Sequence, residues 1–249
     1  MKKLIPLLLL SLTWTSPAQP PDSPVRVVMN GFVADNVIAG SVTAVATKSD
    51  VLSLETTGYA NLKTKTTMPP NALFWIASMT KPMAAVCVLQ LHEAGKLSIE
   101  DPVEKHLAEF AGQWMIESRA RGKLTLKKPA RAITIRDLLT HTSGLANTNS
   151  PRPESTLAEL VMSYSKTPLQ FEPGSRWSYS NAGINTLGRI VEVVSSTPFA
   201  EYLQAHVLDP CGMKDTTFWP SPAQAKRIAS SYRPDSNGKL QPVEVYFLK

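Results

Sequence analysis

The sequence predicts an α+β fold, and two features predict it. The runs Ile38 to Thr47 and Val51 to Tyr59 are rich in β-branched residues and are separated by Lys48-Ser49-Asp50, which reads as a hairpin. On either side of them the apolar residues fall at helical spacing: Val25, Val28, Met29, Phe32 and Val33 within Pro24 to Asn36, and Ile184, Leu187, Ile190, Val191 and Val194 after Asn181. At 249 residues, the chain is long enough for one large domain or two small lobes that bury roughly 70% of its surface.

The first residues do not belong to that fold. Met1-Lys2-Lys3 followed by the apolar stretch Leu4 to Leu12 and the small residues Ser16-Pro17-Ala18 reads as a secretory signal cut after Ala18, leaving residues 19–249 as the mature domain. The expected location is therefore secreted or periplasmic, with an uncleaved N-terminal anchor as the lesser reading. No later stretch approaches ~20 uninterrupted apolar residues, so no stable membrane span is expected. Two cysteines, Cys87 and Cys211, do not make a disulfide framework and read as small buried fillers, although export leaves a bridge open. The net charge of +6 comes largely from one segment, Arg119, Arg121, Lys123, Lys127, Lys128, Arg131 and Arg136. That segment has neither interleaved aromatics nor a Gly-rich signature, so it reads as a solvated basic loop and not as a nucleic-acid surface.

Each remaining element has a local reason. Pro24 to Asn36 is an amphipathic first helix that should pack on the hairpin after it. Asn61 to Asn71, polar and ending in Pro69-Pro70, reads as a loop. Pro82 is tolerated only in a first helical turn, so the apolar run Met83 to Leu91 must begin close to Ser78, and Gly95 should cap its far end. Ser98 to Asp101 before Pro102 is a turn into a short helical piece. Thr134 should cap a short helix ending near Gly144, Leu157 to Ser165 is another helix, and Asn181 is placed to cap the helix that follows it.

The chemistry concentrates at Ser78-Met79-Thr80-Lys81. Residues three apart share a helix face with β-carbons roughly 5 to 6 Å apart, so the Lys81 ammonium can reach the Ser78 oxygen. A serine hydroxyl needs a base to become a nucleophile. Burial and the positive end of the helix dipole would lower the Lys81 pKa toward that role, and the same helix N-terminus would favour an oxyanion. Ser-x-x-Lys also occurs at Ser163 to Lys166 and Ser236 to Lys239, but only Ser78 opens a helix that reads as buried all round. The plain alternative is a serine N-cap followed by a lysine whose stem covers apolar surface. His92-Glu93 lacks a second histidine at helical spacing, so no metal is expected, and no cofactor is implied.

Three motifs together carry a resemblance: Ser78-Met79-Thr80-Lys81, Leu138-Leu139-Thr140-His141-Thr142-Ser143-Gly144-Leu145, and Pro173-Gly174-Ser175-Arg176-Trp177-Ser178-Tyr179-Ser180-Asn181-Ala182-Gly183. In this order they resemble the serine β-lactamase-related family of class C β-lactamases, D-alanyl-D-alanine carboxypeptidases and esterases, from about Val25 to about Tyr232. The resemblance implies a β-lactamase/transpeptidase-like fold, an antiparallel sheet flanked by helices plus a mainly helical lobe. It implies Ser78 as the acyl-forming nucleophile, Lys81 as its proton partner, Tyr179 as a second general acid/base and Asn181 as a substrate-binding residue that hydrogen-bonds the substrate amide or Lys81. A tyrosine becomes a competent base only beside a cation, and Lys81 would be that cation. His141 invites a Ser-His reading, but no G-x-S-x-G elbow is present, and its place in the family's run implies a structural turn.

The sequence departs from the family at two points. The third family motif, Lys or His, any residue, then Gly, is absent from all twelve glycines, and the chain stops at Lys249 where family members usually continue. The expectation is an incomplete sheet with an open edge on the hairpin, and weak or no activity for this chain. The function read from the sequence is an exported serine hydrolase acting through an acyl-enzyme on a small-molecule or peptide substrate: a β-lactam, a peptidoglycan stem peptide or a small ester. The rival is a non-catalytic module that binds a cell-wall peptide or partner with the same cleft. Oligomeric state is left open.

Overall fold

The computed structural model describes residues 23–120, 122–147 and 155–244; the expected leader, residues 1–18, lies outside them. Within these residues the chain forms two compact units, one from residues 23–75 with 221–244 and one from residues 76–220.

The first unit is built on the expected hairpin. Strands β1 (Gly40–Ala46) and β2 (Val51–Asn61) pair antiparallel from Gly40 against Gly58 to Ala46 against Val51. Gly58 has φ +66°, and a Cβ there would run into the Ala39 carbonyl oxygen, so the bend needs glycine. The segment read as a polar loop instead contributes β3 (Thr66–Thr67), which completes the order β1-β2-β3. Among the described residues no strand lies on the outer side of β1. Leu73 forms a parallel bridge with Ile228, and Tyr232 Oη accepts from the Leu62 N–H at 2.8 Å, which tie the later residues to the sheet. Those residues supply α7 (Pro222–Ala225), β6 (Ser231–Pro234) and β7 (Leu240–Val243). Helix α1 (Pro24–Ala34) forms as its spacing predicts, but it buries none of its residues, and Val27, Val28 and Phe32 are exposed.

The second unit holds the main core. Helix α2 (Thr80–Glu93) places Cys87, Val88 and Leu91 against α5 (Asn181–Ser195), whose Leu187, Ile190 and Val191 are fully buried. Gly95, at φ +68°, follows its end as expected. α2 is not buried all round: a 3.6-residue repeat turns Val86 and Leu89 away from α5, and both are exposed. Leu138 of α3 (Ile135–Leu139) and Val161 of α4 (Leu157–Ser165) complete the contact with α5, and α6 (Phe199–Leu203) closes it, continued by a π-type turn. Helix α4 has the residues read from the sequence. α3 starts where expected, with Thr134 and Asp137 forming a capping box, but it stops at Leu139, before Gly144, because the chain then turns through His141 at φ +60°.

Two further readings change. The basic segment is not a loop: β4 (Met115–Ala120) and β5 (Lys123–Lys127) form an antiparallel ribbon, with Arg119 opposite Leu124. Alternation in Lys123-Leu124-Thr125-Leu126-Lys127 gives that ribbon one lysine face, a period-2 signal masked by the charges. The cysteines are both free, and only Cys87 is a buried filler; Cys211 is exposed. No described helix is long and apolar enough to cross a membrane.

Candidate active site

Ser78 lies in a single 3-10 turn, Ala77–Met79, that runs directly into α2. Ala77 has φ +44°, a left-handed value that costs a non-glycine residue of order 1 to 3 kcal/mol. This strain immediately before Ser78 was not legible in the sequence. Ser78 does not cap the helix, since no side-chain cap bond is made at either start. Its Oγ instead accepts from Lys81 Nζ at 3.1 Å. Lys81 is half-buried, on a helix with one exposed face, so the deep burial expected of it is not found.

The same Oγ accepts from the Tyr179 hydroxyl at 2.7 Å, across 101 positions of sequence. Lys81 Nζ lies 4.8 Å from the centre of the Tyr179 ring. The Lys81 ammonium, and after it the Ser78 hydroxyl, holds the Tyr179 phenol below its ordinary pKa. Ser78, Lys81 and Tyr179 thus meet at one oxygen. Asn181 is beside them in the chain but does not cap α5. Ser180 is the cap, its Oγ accepting from the Gly183 N–H at 3.0 Å, and Asn181 takes the first helical position. The backbone N–H of Asn181 donates to Asn147 Oδ1 at 2.8 Å.

The segment carrying Tyr179 is held by the loop after α3. Buried Asp137 anchors that loop: it takes two bonds from Arg131 and accepts from Thr142 Oγ1 at 3.2 Å, while its carbonyl accepts from the Thr142 N–H at 2.8 Å. Gly144 follows at φ +79°, where a Cβ would collide with the Phe171 carbonyl oxygen. His141 then accepts twice from the tyrosine segment, with its carbonyl from the Ser178 N–H at 2.8 Å and with Nδ1 from the Ser180 N–H at 3.2 Å. An Nδ1 that accepts carries no proton, so the ring proton sits on Nε2. Burial and the Lys81 charge push the His141 pKa down, in keeping with a neutral ring. That ring packs on Tyr179 with centroids 4.8 Å apart.

Asn147 completes the loop, and the sequence reading missed it. Its Oδ1 accepts from the N–H groups of Asn181 at 2.8 Å and Ala182 at 3.1 Å, while its Nδ2 donates to the Tyr179 carbonyl at 2.9 Å. The available signal was indirect: the first N–H groups of any helix need acceptors, and an asparagine just past the Gly144-Leu145 turn can supply one from a distance. The other two Ser-x-x-Lys pairs do not build such a site. Ser163 Oγ bonds the Leu160 carbonyl within α4, and Ser236 to Lys239 is a turn around Asp235. Among the described residues no group of three or more His, Cys, Asp or Glu is placed to hold a metal ion.

A family model described as Beta-lactamase matches residues 25–246. Esterase EstB of Burkholderia gladioli is 32% identical over 88% of this chain and 55% of its own length. Penicillin-binding protein 4* of Bacillus subtilis is 31% identical over 76% of this chain and 40% of its own. Among solved structures, EstCE1, a hydrolase with promiscuous acyltransferase activity, superposes with a TM-score of 0.74 at 26% identity, covering 88% of this chain and 58% of that one. The chain spans about half the length of the curated relatives it matches.

Proposed function

This chain belongs to the beta-lactamase family, and from that premise we propose that it is an exported serine hydrolase working through an acyl-enzyme on Ser78. The observation that carries the proposal is the meeting of Lys81 Nζ and the Tyr179 hydroxyl on Ser78 Oγ, at 3.1 and 2.7 Å. With the phenol protonated, Tyr179 donates to Ser78. Once it has lost its proton, the same contact runs the other way and Ser78 donates.

Attack of Ser78 Oγ on the acyl carbon forms the new C–O bond while the serine proton passes to the Tyr179 oxygen, beside the Lys81 charge. Collapse breaks the bond to the leaving alcohol or amine, which takes that proton. Water then attacks the Ser78 ester, releases the acid and returns the proton to Ser78. Asn181 would meet the substrate amide or ester from the first turn of α5. A small ester is the favoured substrate, because EstB and EstCE1 carry ester and acyl chemistry in their names; a β-lactam or stem peptide is the alternative that penicillin-binding protein 4* represents. Export rests on the Met1 to Ala18 leader. Acylation of Ser78 is the step that Lys81 and Tyr179 are placed to assist.

The test therefore reads the adduct and not turnover. Peptide mass spectrometry after incubation with a fluorophosphonate and, separately, a penicillin should find one stoichiometric adduct on Ser78, absent in Ser78→Ala. Labelling by the phosphonate alone identifies the esterase reading, and labelling by penicillin the peptidase reading. Folded protein without any adduct overturns the hydrolase, and retained peptide binding in that case identifies the binding module.

A further inference from the structure

We propose that Asn147 is a positioning residue for the Ser78 reaction: it fixes the Tyr179 hydroxyl on Ser78 Oγ by clamping the backbone on both sides of the tyrosine side chain. The proposal rests on the hydrolase reading for its catalytic consequence, and on geometry alone for the clamp.

The residue type suits the task. A primary amide can accept and donate at once. Oδ1 takes the first two N–H groups of α5, from Asn181 and Ala182, and Nδ2 reaches back to the Tyr179 carbonyl. One planar group therefore fixes the distance between the end of the extended segment and the start of the helix. Ser180 Oγ lies 3.4 Å from the same Oδ1, so the clamp and the helix cap share an atom. On the far side, His141 takes the Ser178 and Ser180 N–H groups, and its ring limits the tilt of the phenol. The Tyr179 side chain is 41% exposed, so side-chain packing alone does not hold it; the backbone on which it rides must be held instead. Among the described residues, the charged and titratable groups in contact with the phenol are Lys81 and His141.

Removing the amide should let the Tyr179 backbone drift by a fraction of an ångström, and misplacement by about 1 Å can cost 10²-fold in rate. For Asn147→Ala we expect the rate of Ser78 modification by an activated aryl ester to fall about 10- to 100-fold, with weak reversible binding of the same ester little changed. The second readout is independent of activity: ultraviolet titration of the Tyr179 phenol, isolated as the difference between each protein and its Tyr179→Phe partner. The parent should titrate below an ordinary tyrosine, and Asn147→Ala should move back up as the phenol leaves Lys81. Ser180→Ala is the control for capping: it removes the bond to the Gly183 N–H and the long 3.4 Å contact to Asn147 Oδ1, but it keeps the three shorter clamp bonds to Asn181, Ala182 and the Tyr179 carbonyl. It should lower stability and leave the titration in place. If Asn147→Ala does not fold, Asn147→Asp carries the test: its carboxylate keeps the two helix N–H groups, replaces the donor to the Tyr179 carbonyl with a repelling oxygen, and adds a charge that the helix N-terminus tolerates. It should fold and still lose rate.

An unchanged Tyr179 titration in folded Asn147→Ala, or the same titration shift in Ser180→Ala, overturns the clamp. A parent that forms no adduct breaks the hydrolase reading and leaves the titration to decide the clamp alone.

Discussion

The two compact units differ in how they use their apolar residues. Residues 76–220 bury Leu138, Leu187 and Ile190 completely at the meeting of α2, α3 and α5. Residues 23–75 with 221–244 assemble around Ala60, Met68 and Ala229, and leave Val27, Val28 and Phe32 of α1 in solvent. Ser78, Lys81, His141, Asn147 and Tyr179 all belong to residues 76–220. A site that must hold three groups on one oxygen is thus carried by the unit whose helices are fixed by dense packing. The sheet unit is held more by backbone pairing, as at Leu73 with Ile228 and at Ser230 with Ala60.

Substitutions in each unit test that contrast. The largest effect should come from Tyr179→Phe, which keeps the ring on His141 but removes the hydroxyl: Ser78 modification should fall ~10²- to 10⁴-fold with stability little altered. The parent rate should rise with pH as the phenol, held low by Lys81, loses its proton, and the variant should be flat over the same range. A parent profile identical to the variant's would remove Tyr179 from the reaction. Next, Leu138→Ala should cost about 2 to 5 kcal/mol in urea unfolding, whereas Val27→Ala, at a residue 59% exposed, should stay within about 0.5 kcal/mol. Comparable losses at the two positions would erase the contrast between the units.

A smaller effect is expected in acid. Burial raises the Asp101 pKa, but bonds from Lys105, the Ser98 N–H and His106 outweigh it and bring the carboxyl from 3.8 to about 2. A folded pKa below the unfolded one adds stability above pH 3.8 that is lost as pH falls toward 2. Discounted for the exposed Lys105 end, this is about 1 to 2 kcal/mol. Asp101→Asn should lose that amount at neutral pH and show a flatter acid limb in the same urea series.

What local chemistry dictates was legible. Pro82 set the start of α2, the β-branched runs set β1 and β2, and Leu157–Ser165 emerged as read because Thr156 and Glu159 box its first turn. The spacing of Ser78 and Lys81 brought their side chains together because both lie on one helical turn. Which of Ser180 and Asn181 capped α5 was not legible. Both are good caps, and the choice follows from where the extended segment ends, at Ser180 with φ −134° and ψ 115°. The ribbon of β4 and β5 was hidden because charge dominated a weak alternation.

The sequence by itself determined the family, the local helices and hairpin, and the pairing of Ser78 with Lys81, since each rests on signals within a few residues. Only the tertiary structure decided that Tyr179 reaches Ser78, that Asn147 bridges Tyr179 to α5, and that α1, lying against β2 with Met29 and Val33 half-buried, leaves Val28 and Phe32 exposed. Hydrophobic periodicity tells which face of an element is apolar, but not which partner covers it, and hydrogen bonds between residues 32 and 101 positions apart leave no mark in local spacing.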